Sequence, residues 1–274
     1  MSNLITTSLK QSFKLVKKHK RIVLGLLILQ IIFLSLMIGL QMHYQMKAFE
    51  VAEVVMEYLD QQDLSDIEVA KNIVTGSNIL GDDPLMIYRN YRKIAGFMVR
   101  LSIYSLVVYL VFGSLNWALT DQLIYGKNKK RFLAYIGKFC LLAMGFLALI
   151  FLLAYSSLKG VIGGLILETL TSGNFVYLIL GLALLYFMFI SFALISRIKF
   201  KEILRKALML GAKKAHIILL VYLINLVIIV LLVRLVHFLS TKSIFLLSLA
   251  LLLLLFSIVW TRIFLVLVVD KLKI

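Results

Sequence analysis

Six stretches of this chain, residues 22–46, 101–120, 139–158, 169–196, 217–233 and 243–261, contain no Asp, Glu, Lys or Arg. In water, runs of that length must be covered on every side, and six of them leave too little polar chain to cover them. Apolar residues make up 62% of the 274 and charged residues 16%, against about 45–50% and about 25% in an average soluble domain. A membrane-spanning helix needs about 20 apolar residues, so each run supplies one crossing. The spans are expected at about 22–42, 98–119, 137–157, 175–196, 217–237 and 243–263, within a single membrane domain 1–274. The fold class expected is all-α: a polytopic integral membrane protein with six transmembrane helices, basic interfacial helices and a small external helical cap at 47–93. This excludes a cytosolic enzyme, a secreted domain and a disordered chain, and leaves the biochemistry open.

Charge then orients the spans. The net charge is +17, which in a soluble protein points to nucleic acid. In a membrane protein it is the excess of Lys and Arg that cytoplasmic loops collect, so no nucleic-acid partner is implied. With a cytoplasmic N-terminus, the inner segments 1–21, 121–138, 197–216 and 262–274 hold 21 basic residues and the outer segments hold nine. Both termini are therefore expected in the cytoplasm of a cell-membrane protein, facing an anionic inner leaflet. The first apolar run is too long for a cleaved signal core and reads as a retained signal-anchor. Cys140, the one cysteine, makes no intrachain disulfide. Arg100, Lys138, Arg197, Arg234 and Arg262 can all snorkel to the interface from the edge of an uncharged core. Arg262 is the strained case. If the last helix runs on through Ile263 to Val269, Arg262 is drawn roughly 10 Å inward and needs a partner.

Basic lead-ins precede the odd-numbered spans. In the first, Leu9, Phe13 and Val16 share a helix face while Lys10, Lys14, Lys17 and Lys18 lie mostly off it. In the third, Phe200, Ile203, Leu204, Ala207 and Leu208 form an apolar stripe flanked by Lys199, Lys201, Arg205 and Lys206. Such helices lie in the lipid interface. The middle lead-in, 126–138, is less regular. At an offset of 196, Lys10, Lys17 and Lys18 fall on Lys206, Lys213 and Lys214. Ser196-Arg197-Ile198 and Thr261-Arg262-Ile263 also match. The pattern predicts three units, each a basic interfacial helix followed by a transmembrane hairpin. The external piece carries nine of the thirteen acids. Residues Met46 to Tyr58 read as a continuation of the first helix, Ser65 with Glu68 as a capping box, and Asp83-Pro84 as a helix start. Phe49, Tyr58, Tyr88 and Tyr91 read as packing and interface anchors. The stretch 161–167 is too short to span and is expected to dip into the leaflet or lie flat, and Gly160 with Gly164 is a weak dimer signal.

Motifs for chemistry are sparse. There is no His-Glu-x-x-His for zinc, and His19, His43, His216 and His237 are scattered along the chain, so no metal and no cofactor are expected. Ser172 and His237 share a side without a supporting motif. The spans as drawn contain no acid, which weighs against an aspartyl protease and a proton-coupled carrier. The candidate intrabundle polar contacts are Gln30, Asn116 and Asn225, read chiefly as hydrogen-bond glue between helices. Trp117, Trp260 and Tyr125 read as interfacial belt residues. The candidate contacts with the inner leaflet or a partner are Lys17, Lys18, Arg205, Lys206, Lys213 and Lys214.

The layout of Ser8 to Lys14, then Lys17-Lys18-His19-Lys20, then a span, with its recurrence at Lys206 to His216 and the late Trp260-Thr-Arg262, resembles prokaryotic six-helix membrane families of unknown function. Among these is the family named after the membrane domain of glycerophosphodiester phosphodiesterases. That resemblance implies architecture and no catalytic residue, since the hydrolase chemistry resides elsewhere in such proteins. Lys206 to Gly211 is also similar to the coupling motif of ABC transporter permeases, of which Ala207 and Gly211 are present here. It implies an ATPase partner at residues 199–216. The leading expectation is a non-enzymatic accessory, assembly or interaction protein. A transporter permease subunit, with a polar cavity around Gln30 and Asn225, is the alternative, and an enzyme comes third.

Overall fold

The computed structural model describes residues 2–61, 84–126, 128–163 and 173–272. It is all-α, with no strand among the described residues. The helices are α1 Ser2–Lys18, α2 Lys20–Gln61, α3 Pro84–Val108, α4 Ser114–Tyr125, α5 Lys129–Gly163, α6 Gly173–Leu194, α7 Phe200–Lys213, α8 Ala215–Leu239 and α9 Ile244–Lys271, with a π-helical turn Tyr109–Gly113 between α3 and α4. Six helical stretches are long and apolar enough to cross a membrane: Lys20–Tyr58, Leu85–Tyr125, Lys129–Ser156, Val176–Leu194, Ala215–Leu239 and Ile244–Lys271. The chain is a multi-pass membrane protein. The Ser65–Glu68 capping box, Asp83 and Ser172 lie outside the described residues.

The chain divides into two compact units, Ile32–Tyr109 and Met1–Ile31 with Leu110–Ile274. The smaller contains the later part of α2 and all of α3. There Tyr44 stacks on Tyr104 at 6.0 Å, and Lys93 Nζ donates to the buried Asn90 Oδ1 at 3.2 Å. Phe49, Tyr88 and Tyr91, expected as packing and interface anchors, are exposed and do not pack in a core.

In the larger unit the turns at His19, Gly126–Asn128, Ile195–Lys199 and Lys214, together with the end of α9, gather at one end, here called the basic end. Buried residues concentrate there. Val23, Leu26, Leu123, Val259, Ile263 and Leu267 form one cluster. An aromatic knot joins α4, α5 and α6, with Phe139 and Phe192 at 4.3 Å and Trp117 and Phe192 at 5.5 Å. Toward the other end Phe151 and Leu152 of α5, Leu182 of α6, Leu231 of α8 and Leu252 of α9 are exposed. Lipid solvates such surface as well as another helix does, so tight packing is needed only where polar groups must be covered. Trp117 and Trp260 are buried in this packed end, the latter stacked on Phe264 at 5.4 Å. They are core residues and not the lipid-facing belt the sequence suggested.

Both lead-in helices dock through small residues. On α1 the stripe facing protein is Ile5, Ser8 and Ser12, with both serines 0% exposed and α1 packed on α9. The apolar face expected from Leu9, Phe13 and Val16 is partly packed: Val16 lies against the buried cluster and Phe13 meets Trp260 at 5.2 Å, but the most deeply buried stripe is the serine one. On α7 the buried stripe is Ile203, Ala207, Leu210 and Gly211, packed on α6. Small residues four apart let two helix backbones approach closely. Gly211 is the tightest point: a β-carbon there would stand 2.6 Å from Phe187 Cε1 and 3.1 Å from Tyr186 Cε1. The Tyr186 hydroxyl donates to Gly211 O at 2.9 Å.

The repeat is clearer in three dimensions than in the sequence. At His19, N donates to Leu15 O, and the amides of Ile22 and Val23 donate to His19 O. At Lys214, N donates to Leu210 O, and the amides of Ile217 and Ile218 donate to Lys214 O. Every member is shifted by 195, one residue from the offset that aligned the lysines. The same shift carries buried Ser12 onto Ala207, Val23 onto Ile218, Leu26 onto Val221 and Gln30 onto Asn225. The middle lead-in departs from the pattern, because α5 runs unbroken from Lys129. The repeat therefore has two hinged members, not the three expected.

Replacing Gly211 with leucine forces the Phe187 and Tyr186 rings aside. Overpacking of this kind costs about 1–3 kcal/mol. A thermal melt in detergent should show that loss, and limited proteolysis should cut near α7 in the variant and not in the parent.

Candidate functional site

Near the basic end α4 presents Trp117, Asp121 and Tyr125 at intervals of four, one face of the helix. Gly126, at φ +90°, stops α4, and its N–H donates to Gln122 O. Asn128 Oδ1 then accepts the Arg131 amide at 3.2 Å and starts α5. This tight turn brings Arg131 back to Asp121.

Asp121 is 7% exposed. Its Oδ2 lies 3.2 Å from Arg131 Nε, and its Oδ1 accepts from Ser196 Oγ just beyond α6. The next residue, Arg197, pairs with Asp270 near the end of α9 at 2.5 Å. The Tyr125 hydroxyl donates to the same Asp270 Oδ1 at 2.9 Å. The Tyr125 ring carries two guanidinium groups, Arg131 at 4.7 Å and Arg197 at 4.4 Å from its centroid, an arrangement suited to arginine's flat cation. Hydrogen bonding with Tyr125, the largest effect, and the charges of Asp270 and Asp121 hold the Arg197 pKa above its ordinary value, against a smaller opposing effect of burial.

Further along the same faces sits Arg262. α9 does continue through Ile263 to Val269, and all seven of these residues are buried in protein. Arg262 therefore has buried helix on its C-terminal side, the arrangement in which it needs a partner. Its Nη2 donates to Gln30 Oε1 at 3.3 Å, and its guanidinium lies 5.7 Å from the Trp117 ring centroid. Gln30 follows Lys20 by ten residues, about 15 Å of helix and about half the thickness of a hydrocarbon core.

Of the sequence-selected polar residues, Gln30 takes part in a contact between helices. Asn116 does not: its Nδ2 donates to Phe112 O within the same helical run at 3.0 Å. Ser114 Oγ likewise donates to Val111 O at 2.9 Å. Both carbonyls belong to the π turn Tyr109–Gly113, and Asn116 Oδ1 is buried with no hydrogen-bond partner among the described residues. Asn225 is buried on α8, where its Oδ1 has no hydrogen-bond partner among the described residues. Gln30 and Asn225 are not brought together. Lys17, Lys18, Arg205, Lys213 and Lys214 are exposed, and Lys206 pairs with Glu202 at 3.4 Å. No group of three or more His, Cys, Asp or Glu placed to hold a metal occurs among the described residues.

The residues that hold the site together were not singled out in the sequence. Asp121, Asp270, Ser196 and Arg131 lie next to span ends, where charges are ordinarily solvated. A signal was nevertheless present. The four basic segments contain three acids among 21 cations, namely Asp121, Glu202 and Asp270, and each is in an ion pair.

No protein-family model, curated protein or solved structure matches the chain. The site stands on its own geometry.

Removing a partner from a buried ion pair costs about 3–5 kcal/mol. The Arg131 side chain is 35% exposed, so Asp121→Asn should cost somewhat less, about 2–3 kcal/mol. Asp270→Asn breaks a pair whose Arg197 is 50% exposed and should cost at most about 1 kcal/mol. Urea titration in mild detergent checks both, and equal losses would contradict this ranking. Gln30→Leu should cost about 0.6–2 kcal/mol, and Arg262→Leu combined with it should show a clear coupling energy in a double-mutant cycle.

Proposed function

We propose that this is a non-enzymatic protein of the cell membrane that acts through interaction, as an accessory or assembly factor, with the basic end and both termini in the cytoplasm. The observation that carries the reading is how charge is distributed at the basic end. The acids there are already engaged with Arg131, Arg197 and Lys206. Lys17, Lys18, Arg205, Lys213 and Lys214 are exposed on or just after helices firmly docked on the bundle. Cations presented on a rigid scaffold suit an anionic inner leaflet or an acidic partner surface. The likeness of layout to the glycerophosphodiester phosphodiesterase membrane-domain families agrees with a partner role, because the hydrolase chemistry of those proteins lies outside that domain.

One observation favours a second reading, a transport subunit. Tyr186 stitches three helices: it donates to Gly211 on α7, accepts from the Tyr222 hydroxyl on α8 at 3.4 Å, and packs against both. A push on α7 would be passed to two spans, as a coupling helix requires.

Purification of the tagged chain in mild detergent, with mass spectrometry of what accompanies it, separates the two. The accessory reading expects a stable partner without a nucleotide-binding fold. An ATPase lost on Arg205→Glu with Lys213→Glu would establish the transport reading instead. Orientation is tested in a Cys140→Ala background with an impermeant maleimide added to intact cells. Lys242→Cys should label and Lys213→Cys should not, and the reverse pattern would overturn the assignment.

A further inference from the structure

A cavity of about 140 Å³ opens at the basic end between the start of α5 and the end of α6, lined by Arg131, Ala134, Tyr135, Lys138, Ile195 and Ser196. Arg131 and Lys138 are seven residues apart and share a helix face, with the small Ala134 leaving room between them. No carboxylate lines the cavity. Its two hydroxyl donors are already committed, Tyr135 to Phe192 O at 2.8 Å and Ser196 to Asp121. The donors that remain are cationic. Arg131 meets Asp121 with Nε 3.2 Å from Oδ2, and Lys138 makes no ion pair among the described residues. With Asp121 offsetting one of the two cations, the cavity has a surplus of one positive charge. Its ligand should therefore be a compact, singly charged anion with several acceptor oxygens. Lys138 borders the uncharged run that begins at Phe139, while Arg131 lies two turns toward the basic end, so the cavity opens at the edge of the apolar run.

We propose that this cavity is a binding site for a phosphate group, supplied by an anionic phospholipid headgroup or by a phosphate-bearing solute. The site is distinct from the exposed lysines of α1 and α7, and it stands whether or not a protein partner is found.

The test uses the full chain in detergent, with retained lipid read by native mass spectrometry and stability by thermal melting. Phosphatidylglycerol should remain bound and raise the melting temperature, and phosphatidylcholine should not. Lys138→Gln removes a charged donor, and Ala134→Leu fills the space while leaving every charge in place. Each should weaken phosphatidylglycerol binding by about tenfold or more, whereas Lys213→Gln with Lys214→Gln should leave it unchanged. Inorganic phosphate at millimolar concentration forms the second arm. If it stabilises the parent and loses that effect in both cavity variants, while phosphatidylglycerol binding is insensitive to them, the phosphate comes from a solute. If neither probe responds to either cavity variant, or if the Lys213 and Lys214 variant loses as much binding as they do, the proposal is overturned.

Discussion

A carboxylate or guanidinium withdrawn from water needs a partner of opposite charge, or the fold bears several kcal/mol of desolvation. That requirement organises the basic end. Asp121 and Asp270 tie together the ends of α4, α6 and α9 and the start of α5, at the level where the apolar helices begin to pack. Tyr125 between two guanidiniums completes the network. The rest follows from where these groups are. Helices must close around them, and so the buried residues gather at this end. The far halves, with only apolar side chains to present, remain in contact with lipid.

The lead-in helices serve the same closure. α1 is amphipathic by composition, but the face it buries most deeply is its small polar one, Ser8 and Ser12. Ser12 Oγ satisfies itself within the helix by donating to Leu9 O at 2.7 Å, whereas Ser8 Oγ is buried with no hydrogen-bond partner among the described residues. Of the apolar side chains of α1, Ile5 is buried and Leu15 and Val16 pack against the cluster around Leu26 and Ile263. In α7 alanine and glycine do the same work, and the tyrosine that covers Gly211 returns a hydrogen bond to its carbonyl.

Fold class was legible because an uncharged run of about twenty residues has few physical solutions. The helix count and the break before α2 follow from the same property. What the sequence hid were features that depend on which helix lies beside which. Asp121 reads as an ordinary loop acid until Gly126 and Asn128 are seen to turn Arg131 back onto it. Arg262 stands out in the sequence because the apolar Ile263 to Val269 follow it, but nothing local reveals that Gln30 is its partner. Asn116 reads as glue between helices because a π turn leaves no composition signal. The lysine match suggested an offset of 196, whereas the hydrogen bonds at the two hinges set it at 195, since lysines in solvent tolerate a slip that buried positions do not.

The pairing of α1 with α9 has a consequence in time. A ribosome makes the chain from one end, and α1 and α2 enter the membrane long before α9 exists. Until then the serine face of α1 has no helix to dock against, and Gln30 sits in the bilayer without Arg262. The last helix, in turn, brings an arginine into a region where its amide partner is already waiting. Assembly of this bundle can therefore be completed only by joining the first-made part of the chain to the last-made part, which places the slow, non-local step at the end of synthesis.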